Sequence, residues 1–256
     1  MNSPIPLLER TRLEKAAQDA GFDLRSQEEG SWLVFRSTAF SQALGVAATS
    51  QGGYRLGLTD SSVCRQIAAE LGLQVSIQSE PWSVGLEGAA DYEKLYHSID
   101  RAADMFRVMA GIGLQHYRER THTPPDATEI SRLVRQRIGQ DIFRATLIEY
   151  WGGRCALTSL DEPQLLRASH IKPWARCETD EERLDVFNGF LLAPHFDALF
   201  DAGWITFLDS GAIQVSPSLQ LLQRKALGLH GNEALHSLSD AHLPYLAWHR
   251  KHWFRK

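Results

Sequence analysis

The chain has 256 residues, which exceeds the usual length of a single domain, so we expect two domains. Its 43% hydrophobic and 23% charged residues are typical of a globular protein with an apolar core and exclude extensive disorder. No apolar run approaches the roughly 18 residues of a membrane-spanning helix. The first residues also lack the apolar stretch of a signal peptide, so we expect a cytoplasmic protein without membrane contact.

The cysteines are few and widely spaced. Cys64, Cys155 and Cys177 form an odd set without a Cys-x-x-Cys pair. This argues against a disulfide framework and against a four-cysteine zinc site. We therefore predict buried thiols without a chemical role.

The net charge of -4 does not favour phosphate binding by the molecule as a whole. The charge is unevenly distributed along the chain. Between Ile130 and Trp174 there are seven Arg or Lys against four acids, a net charge of +3, and the C-terminal HRKHWFRK adds a second basic cluster. The sequence therefore predicts one basic face.

The N-terminal half shows a mixed pattern of helices and strands. Apolar residues at helical spacing predict a helix over Leu7–Ala20, which Gly21 ends. The segments SWLVFRS, GGYRLGLT and LQVSIQ read as strands, and DSSVCRQIAAELG as a helix capped by Asp60 or Ser61. A long amphipathic helix is predicted from Tyr92 to about Arg118. Together these elements predict a small α+β domain over residues 1–121.

A polar segment separates the two halves. RTHTPPDATE has two prolines and no apolar periodicity, which predicts a linker over residues 122–129. The second domain then covers residues 130–256. It begins with a basic amphipathic helical region, Ile130–Trp151, interrupted at Gly139.

The most informative stretch runs from CALTSLDEPQLLRASHIKPWA to DVFNGFLLAPHFDALFDAGWITF. A Cys-Ala-x-Thr turn precedes a strand with Ser-His-Ile-x-Pro-Trp, and an Asn-Gly strand leads to a helix ending in Leu-Phe-Asp and a Gly-x-Ile-x-Phe strand. This order resembles the HNH endonucleases over roughly Gln140–Phe207. The resemblance implies a C-terminal ββα-metal (HNH) nuclease module, with its core at about 140–207, beside a smaller N-terminal α+β domain.

His170 is the candidate general base. Phosphodiester hydrolysis needs a base of near-neutral pKa and a cation that offsets charge on the phosphate. His170 ends a β-like run that Pro173 breaks, and its pattern favours this role over that of an ordinary histidine. The resemblance gives Asn188 the role of tying the loop that carries the base. A turn residue is the alternative for Asn188, since Asn-Gly is also a turn signal, and both can hold together.

Asp197 and Asp201 are the candidate metal ligands. Four residues apart on a helix, they share one face, where a divalent cation would convert their repulsion into chelation. The alternative is that Asp197 favours the helix N-terminus and Asp201 caps its exit. The resemblance places a histidine more often at the last ligand, so a carboxylate there favours magnesium or manganese over zinc. His195 is a secondary ligand candidate, provided that it precedes the helix.

Four cations are candidates for phosphate contact: Arg167 and Lys172, which flank His170, and Arg144 and Arg137, which precede the module. Surface cations are more often merely solvated. The position of Arg167 beside the strand end makes it the strongest of the four.

The resemblance implies a metal-dependent endonuclease acting on duplex DNA, in restriction or phage defence. The N-terminal domain would supply DNA specificity or dock a defence-system partner protein. The oligomeric state is left open, with a dimer as one candidate. A second hypothesis is an HNH-fold DNA-binding or regulatory protein with weakened catalysis, which Ser169 favours because it replaces an acidic or histidine ligand. A third is an RNA-directed toxin nuclease.

Overall fold

The computed structural model describes residues 2–3, 5–49, 53–77, 82, 84–89, 91–121, 129–158 and 160–256. The chain forms two compact units, residues 1–110 and 111–256. Both contain helices and strands, which confirms the predicted α+β class. None of the described helices is long and apolar enough to cross a bilayer. All three cysteines are unpaired and buried, as predicted.

The first unit combines an antiparallel sheet with helices. Its elements are β1 (Asn2–Ser3), α1 (Leu7–Asp19), β2 (Gln27–Glu29), β3 (Trp32–Phe35), β4 (Leu44–Thr49), β5 (Tyr54–Leu58), α2 (Ser61–Leu71), β6 (Gln74–Ile77), β7 (Val84–Ala89) and α3 (Tyr92–Met109). The described strands pair in the order β2-β3-β4-β5-β7-β6, with β1 also on β4. The predicted helix at Leu7 is confirmed, and so is the cap of α2, where the Asp60 carboxylate accepts from two backbone N–H groups. The prediction did not include β1, β2, β4 or β7.

The two faces of this sheet are covered differently. Phe35 packs on Phe22, which contacts Phe106 of α3, so this face carries helices. On the other face the Trp82 ring lies directly over Gly45 and Gly57, where an added Cβ would come within 2.4 and 2.3 Å of it. Because only glycine leaves room for the ring, these two positions fix how the second face is covered.

The prediction of one continuous helix from Tyr92 to about Arg118 is wrong. Chain direction changes at Gly111, whose φ of +80° favours glycine, and a separate helix, α4 (Ile112–Arg120), follows. The division between the units lies at residues 110 and 111, ahead of the predicted domain boundary at 121. The predicted linker at 122–129 falls outside the described residues, except for Glu129, which begins the next helix.

The second unit is built around short hairpins. After α4 it contains α5 (Glu129–Tyr150), β8 (Arg167–His170), α6 (Asp180–Leu184), β9 (Gly189–Leu192), α7 (Pro194–Asp201), β10 (Ile205–Phe207), β11 (Ile213–Val215), α8 (Leu221–Ala226) and α9 (Leu243–His252). Strands β8 and β9 pair antiparallel, and β10 pairs with β11. Helix α7 follows β9 directly and packs against β8, which gives a ββα arrangement. Helix α5 packs against both β8 and β9.

The predicted interruption at Gly139 is also wrong. Helix α5 continues through Gly139, and an added Cβ there would lie 2.4 Å from the Trp174 ring and 3.3 Å from Tyr117. Gly139 therefore leaves room for the Trp174 ring against α5, and it does not interrupt the helix. Tyr117 belongs to α4, so this contact also joins α4 to α5.

Filling the space under Trp82 should destabilise the first unit. In Gly57→Ala the new methyl group would overlap the indole, and we expect the free energy of unfolding to fall by about 1–3 kcal/mol. Calorimetry of the full chain measures the lower melting temperature, with Gln18→Ala at an exposed position of α1 as the control. Equal melting temperatures for the two variants would contradict the packing of Trp82 on this face.

Candidate active site of the C-terminal unit

The hairpin of β8 and β9 presents two faces with different neighbours. Ser169 pairs with Phe190, and His170 pairs with Gly189. Successive side chains of a strand point to opposite faces. Ser169 accordingly lies beside Asp197 of α7, whereas His170 lies against Phe143 of α5.

Asp197 and Asp201 lie on α7 four residues apart, as predicted. Asp197 is half-buried and Asp201 is exposed. Burial raises the pKa of the Asp197 carboxyl, and the neighbouring Asp201 charge raises it further, while Ser169 and Arg167 lower it. A carboxylate with a raised pKa beside a second carboxylate is a site where a cation would be stabilising.

Ser169 contributes a buried hydroxyl next to this pair. Its residue is 3% exposed. The hydroxyl is close enough to lower the pKa of Asp197, yet it makes no hydrogen bond of normal geometry to any group that the structure describes. An oxygen donor is thus present at the position that the resemblance gives to an acidic or histidine ligand.

The His170 ring occupies the other side of β8. It stacks on Phe143 at 3.8 Å between ring centroids, and Trp174 meets it edge-on at 5.6 Å. Its Nε2 lies 2.9 Å from the carbonyl oxygen of Arg183. Because a carbonyl only accepts, Nε2 donates, and Nδ1 of the neutral ring keeps the free lone pair. Burial lowers the pKa of His170 to about 4.

The carboxylate pair and the imidazole therefore have different packing neighbours: Ser169 and Arg167 lie beside Asp197, whereas Phe143 and Trp174 contact His170. Among the residues that the structure describes, no group of three or more His, Cys, Asp or Glu side chains is placed to hold a metal ion. That His170 acts as a base on a water near the two acids stays a prediction.

Asn188 is fully buried and holds the loop that follows His170. Its Oδ1 accepts from the backbone N–H of Lys172 at 2.8 Å. Its Nδ2 donates to the carbonyl oxygens of Glu182 at 2.9 Å and Lys172 at 3.2 Å, and it also contacts the Cys177 sulfur at 3.3 Å. The side-chain amide thus connects the loop after β8 to the segment before β9.

Residues 155–208 match a family model described as HNH endonuclease. The C-terminal unit carries an HNH module. The match begins at Cys155 and ends at Leu208, so it includes His170, Asn188, Asp197 and Asp201. No curated protein matches the chain.

The predicted cations of the HNH module separate into two groups. Lys172 is buried, and its Nζ bonds both carboxylate oxygens of Glu182 at 2.9 and 2.8 Å. Arg144 donates to the carbonyl oxygens of Pro163 and Leu166, each at 2.7 Å. These two side chains hold the module together, which corrects their prediction as phosphate contacts. Arg167 and Arg137 are exposed, and only Arg167 lies beside the carboxylate pair.

His195 is the second residue of α7, so it does not precede the helix. Side chains two positions apart on a helix point to different sides, and the exposed His195 ring lies on Phe196 at 4.2 Å. It is therefore separated from Asp197, and the condition for its role as a ligand is not met.

Sequence reasoning missed three residues that shape the HNH module: Phe143, Arg183 and Glu182. Phe143 packs on the imidazole, Arg183 supplies the carbonyl that holds it, and Glu182 neutralises Lys172. The acidic loop ETDEERLD was visible in the sequence, but its contacts across the chain were not. Only the excess of acids near Lys172 could have indicated an ion pair.

Removing the Asn188 amide should destabilise the HNH module. In Asn188→Ala the buried N–H of Lys172 and two carbonyl groups lose their partner, and we expect a loss of about 2–4 kcal/mol in unfolding free energy. Thermal unfolding measures this loss. Asn232→Ala, at an exposed asparagine of the same unit, is the matched control and should change stability little.

The buried imidazole predicts a pH dependence of stability. His170 has a pKa of about 4 when folded, against 6.5 as the ordinary value, so the unfolded chain binds more protons between these pH values. Its contribution is fully present above pH 6.5 and is lost as the pH falls towards 4. His249, with a pKa of about 4, acts in the same direction.

We therefore expect His170→Gln to lose less stability than the unaltered protein between pH 7.5 and pH 5, as measured by urea unfolding. His116→Gln, at an exposed position, is the matched control. Parallel losses in the His170 variant and the unaltered protein would show that His170 is not held neutral by burial.

Proposed function

We propose that the HNH module hydrolyses phosphodiester bonds of duplex DNA with a divalent cation. The observation that carries this proposal is the pair Asp197 and Asp201 on one face of α7, with the Asp197 pKa raised by burial and by the second acid. Arg167 lies at the same place and offers a positive charge to a phosphate group. The family match supports nuclease chemistry, and the acids supply the site for it.

The donor set at this place fits a hard cation. Both acids and the Ser169 hydroxyl are oxygen donors, and the buried hydroxyl lies next to Asp197 without a hydrogen bond of normal geometry in the described part of the chain. Oxygen donors favour magnesium or manganese over zinc. When bound, the cation would neutralise the carboxylates and stabilise negative charge on the phosphate and the leaving oxygen.

His170 is the residue that we assign as general base. The unprotonated Nδ1 can accept the proton of an attacking water, since Nε2 already donates to the Arg183 carbonyl. Asn188 acts as a positioning residue through the loop that it holds. This assignment requires the free Nδ1 to reach a water beside the acids when DNA binds.

A plasmid assay tests the proposal. We expect supercoiled DNA to be cut with Mg²⁺ or Mn²⁺ and to stay intact with EDTA. Asp197→Asn and His170→Ala should lower the rate by a factor of about 100 or more, because each removes a group that acts on the reacting atoms. His116→Ala is the matched histidine control and should cut normally. Undiminished cleavage by His170→Ala would show that the base is another group.

The second hypothesis is a DNA-binding or regulatory HNH module with weakened catalysis. The observation that favours it is the low pKa of the buried and stacked His170 ring, about 4, which makes the imidazole a weak base. In that case the purified protein would bind duplex DNA and leave it intact with every cation. The same assay with RNA tests the toxin-nuclease hypothesis.

The biological setting is a proposal from the family resemblance. We propose restriction or phage defence, with the first unit recognising a DNA feature or docking a defence-system protein. Cleavage of modified and unmodified plasmid, compared for the full chain, distinguishes a specificity role from docking.

A further inference from the structure

The C-terminal segment, His249–Lys256, binds the end of helix α7. It donates hydrogen bonds to four consecutive backbone carbonyl oxygens there. His249 Nε2 donates to Phe200 at 3.2 Å, and Trp253 Nε1 donates to Asp201 at 2.6 Å. Arg255 donates to Ala202 through Nε at 2.8 Å and to Gly203 through its backbone N–H at 3.0 Å. The last carbonyls of a helix have no partner within the helix. The segment therefore fixes the turn that carries Asp201.

Gly203 shows how closely this segment approaches. Its φ is +73°, and an added Cβ would lie 2.3 Å from the carbonyl oxygen of Trp253. A side chain is thus excluded both by backbone conformation and by space. The contact between α7 and the C-terminal segment is consequently fixed at the level of the backbone.

The charges of the segment are all positive. It contains Arg250, Lys251, Arg255 and Lys256 and no acidic residue. Arg250 is neutralised by Asp209 at 2.6 Å. Lys251, Arg255 and Lys256 are exposed. The hydrogen bond to the end of α7 accounts for the position of the Arg255 side chain. It does not account for the two exposed lysines beside it.

Aromatic rings hold this basic surface in place. The Arg255 guanidinium lies 4.2 Å from the centre of the Trp204 ring. Trp248 contacts His252 at 5.1 Å and Trp253 at 6.4 Å between ring centroids. A cation held on a ring loses less conformational freedom when it binds an anion, which favours binding of a fixed array of phosphates.

We propose that the C-terminal segment is a phosphate-binding extension of the HNH site. Lys251, Arg255 and Lys256 contact the backbone of the DNA strand that passes the end of α7. The inference rests on the proposed function for its choice of DNA. It adds that binding is supplied by a segment outside the range 155–208 that matches the family.

The salt dependence of duplex binding tests this surface. Lys251→Ala/Lys256→Ala changes two exposed lysines. Arg120→Ala/Lys225→Ala, at two exposed cations of the same unit, is a control with the same change in net charge. Fluorescence anisotropy in EDTA gives the dissociation constant for a short duplex at several salt concentrations. We expect the slope of log Kd against log salt to fall by about 1–2 in the first variant, roughly 0.9 for each phosphate that a lysine no longer neutralises, and to stay unchanged in the control.

Hydrolysis of bis-p-nitrophenyl phosphate separates this inference from the proposed function. This small diester has no flanking backbone, so its hydrolysis should be equal in both double variants. If the diester is cut and the slopes are equal, the inference is wrong and the nuclease stands. If the diester is not cut and the slope falls as expected, the binding surface stands without the chemistry. Absence of duplex binding by the unaltered protein overturns the inference.

Discussion

The opposite orientation of Ser169 and His170 on β8 is the constraint on which the HNH module depends. Antiparallel pairing with β9 fixes the register, so one residue must face α7 and the other must face α5. The α7 face gains the carboxylates and a buried hydroxyl. The α5 face gains a stacked and neutral imidazole. The carboxylate pair and the imidazole therefore have different neighbours across one strand.

Two polar residues at the loop after β8, Asn188 and Lys172, have a structural role. Asn188 satisfies backbone groups that are buried, and Lys172 is compensated by Glu182. A buried polar or charged group that loses its partner destabilises the fold by more than its hydrogen bond contributes when the partner is present. These residues hold the loop after β8, and of the four predicted cations Arg167 is the exposed one beside the carboxylate pair.

The end of α7 links the acid pair to the C-terminal segment. Backbone carbonyls that a helix leaves without partners are satisfied by side chains of that segment, which brings its positive charges to the turn containing Asp201. One set of contacts thus stabilises the helix and places cations near the site. In the first unit the close contacts are of another kind, since Trp82 covers a sheet face through two glycines.

Features that depend on neighbouring residues along the chain could be predicted from the sequence. Helical spacing gave α1, Asp60 gave the cap of α2, and the motif around His170 and Asn188 gave the ββα arrangement that the family match confirms. The spacing of Asp197 and Asp201 on one helix was likewise readable, because four residues make about one turn.

Features that depend on contacts between distant parts of the chain could be read only from the tertiary structure. Gly111, with a positive φ, separates two helices, whereas Gly139 lies inside a helix with the Trp174 ring against it. Lys172 and Arg144 are held by partners 10 to 22 residues away along the chain, whereas Arg167 is exposed. His170 is the last residue of β8, and the tertiary structure places its ring on Phe143. Patterns along a chain specify which residues share a face, but the partner of that face is chosen only when the whole chain packs.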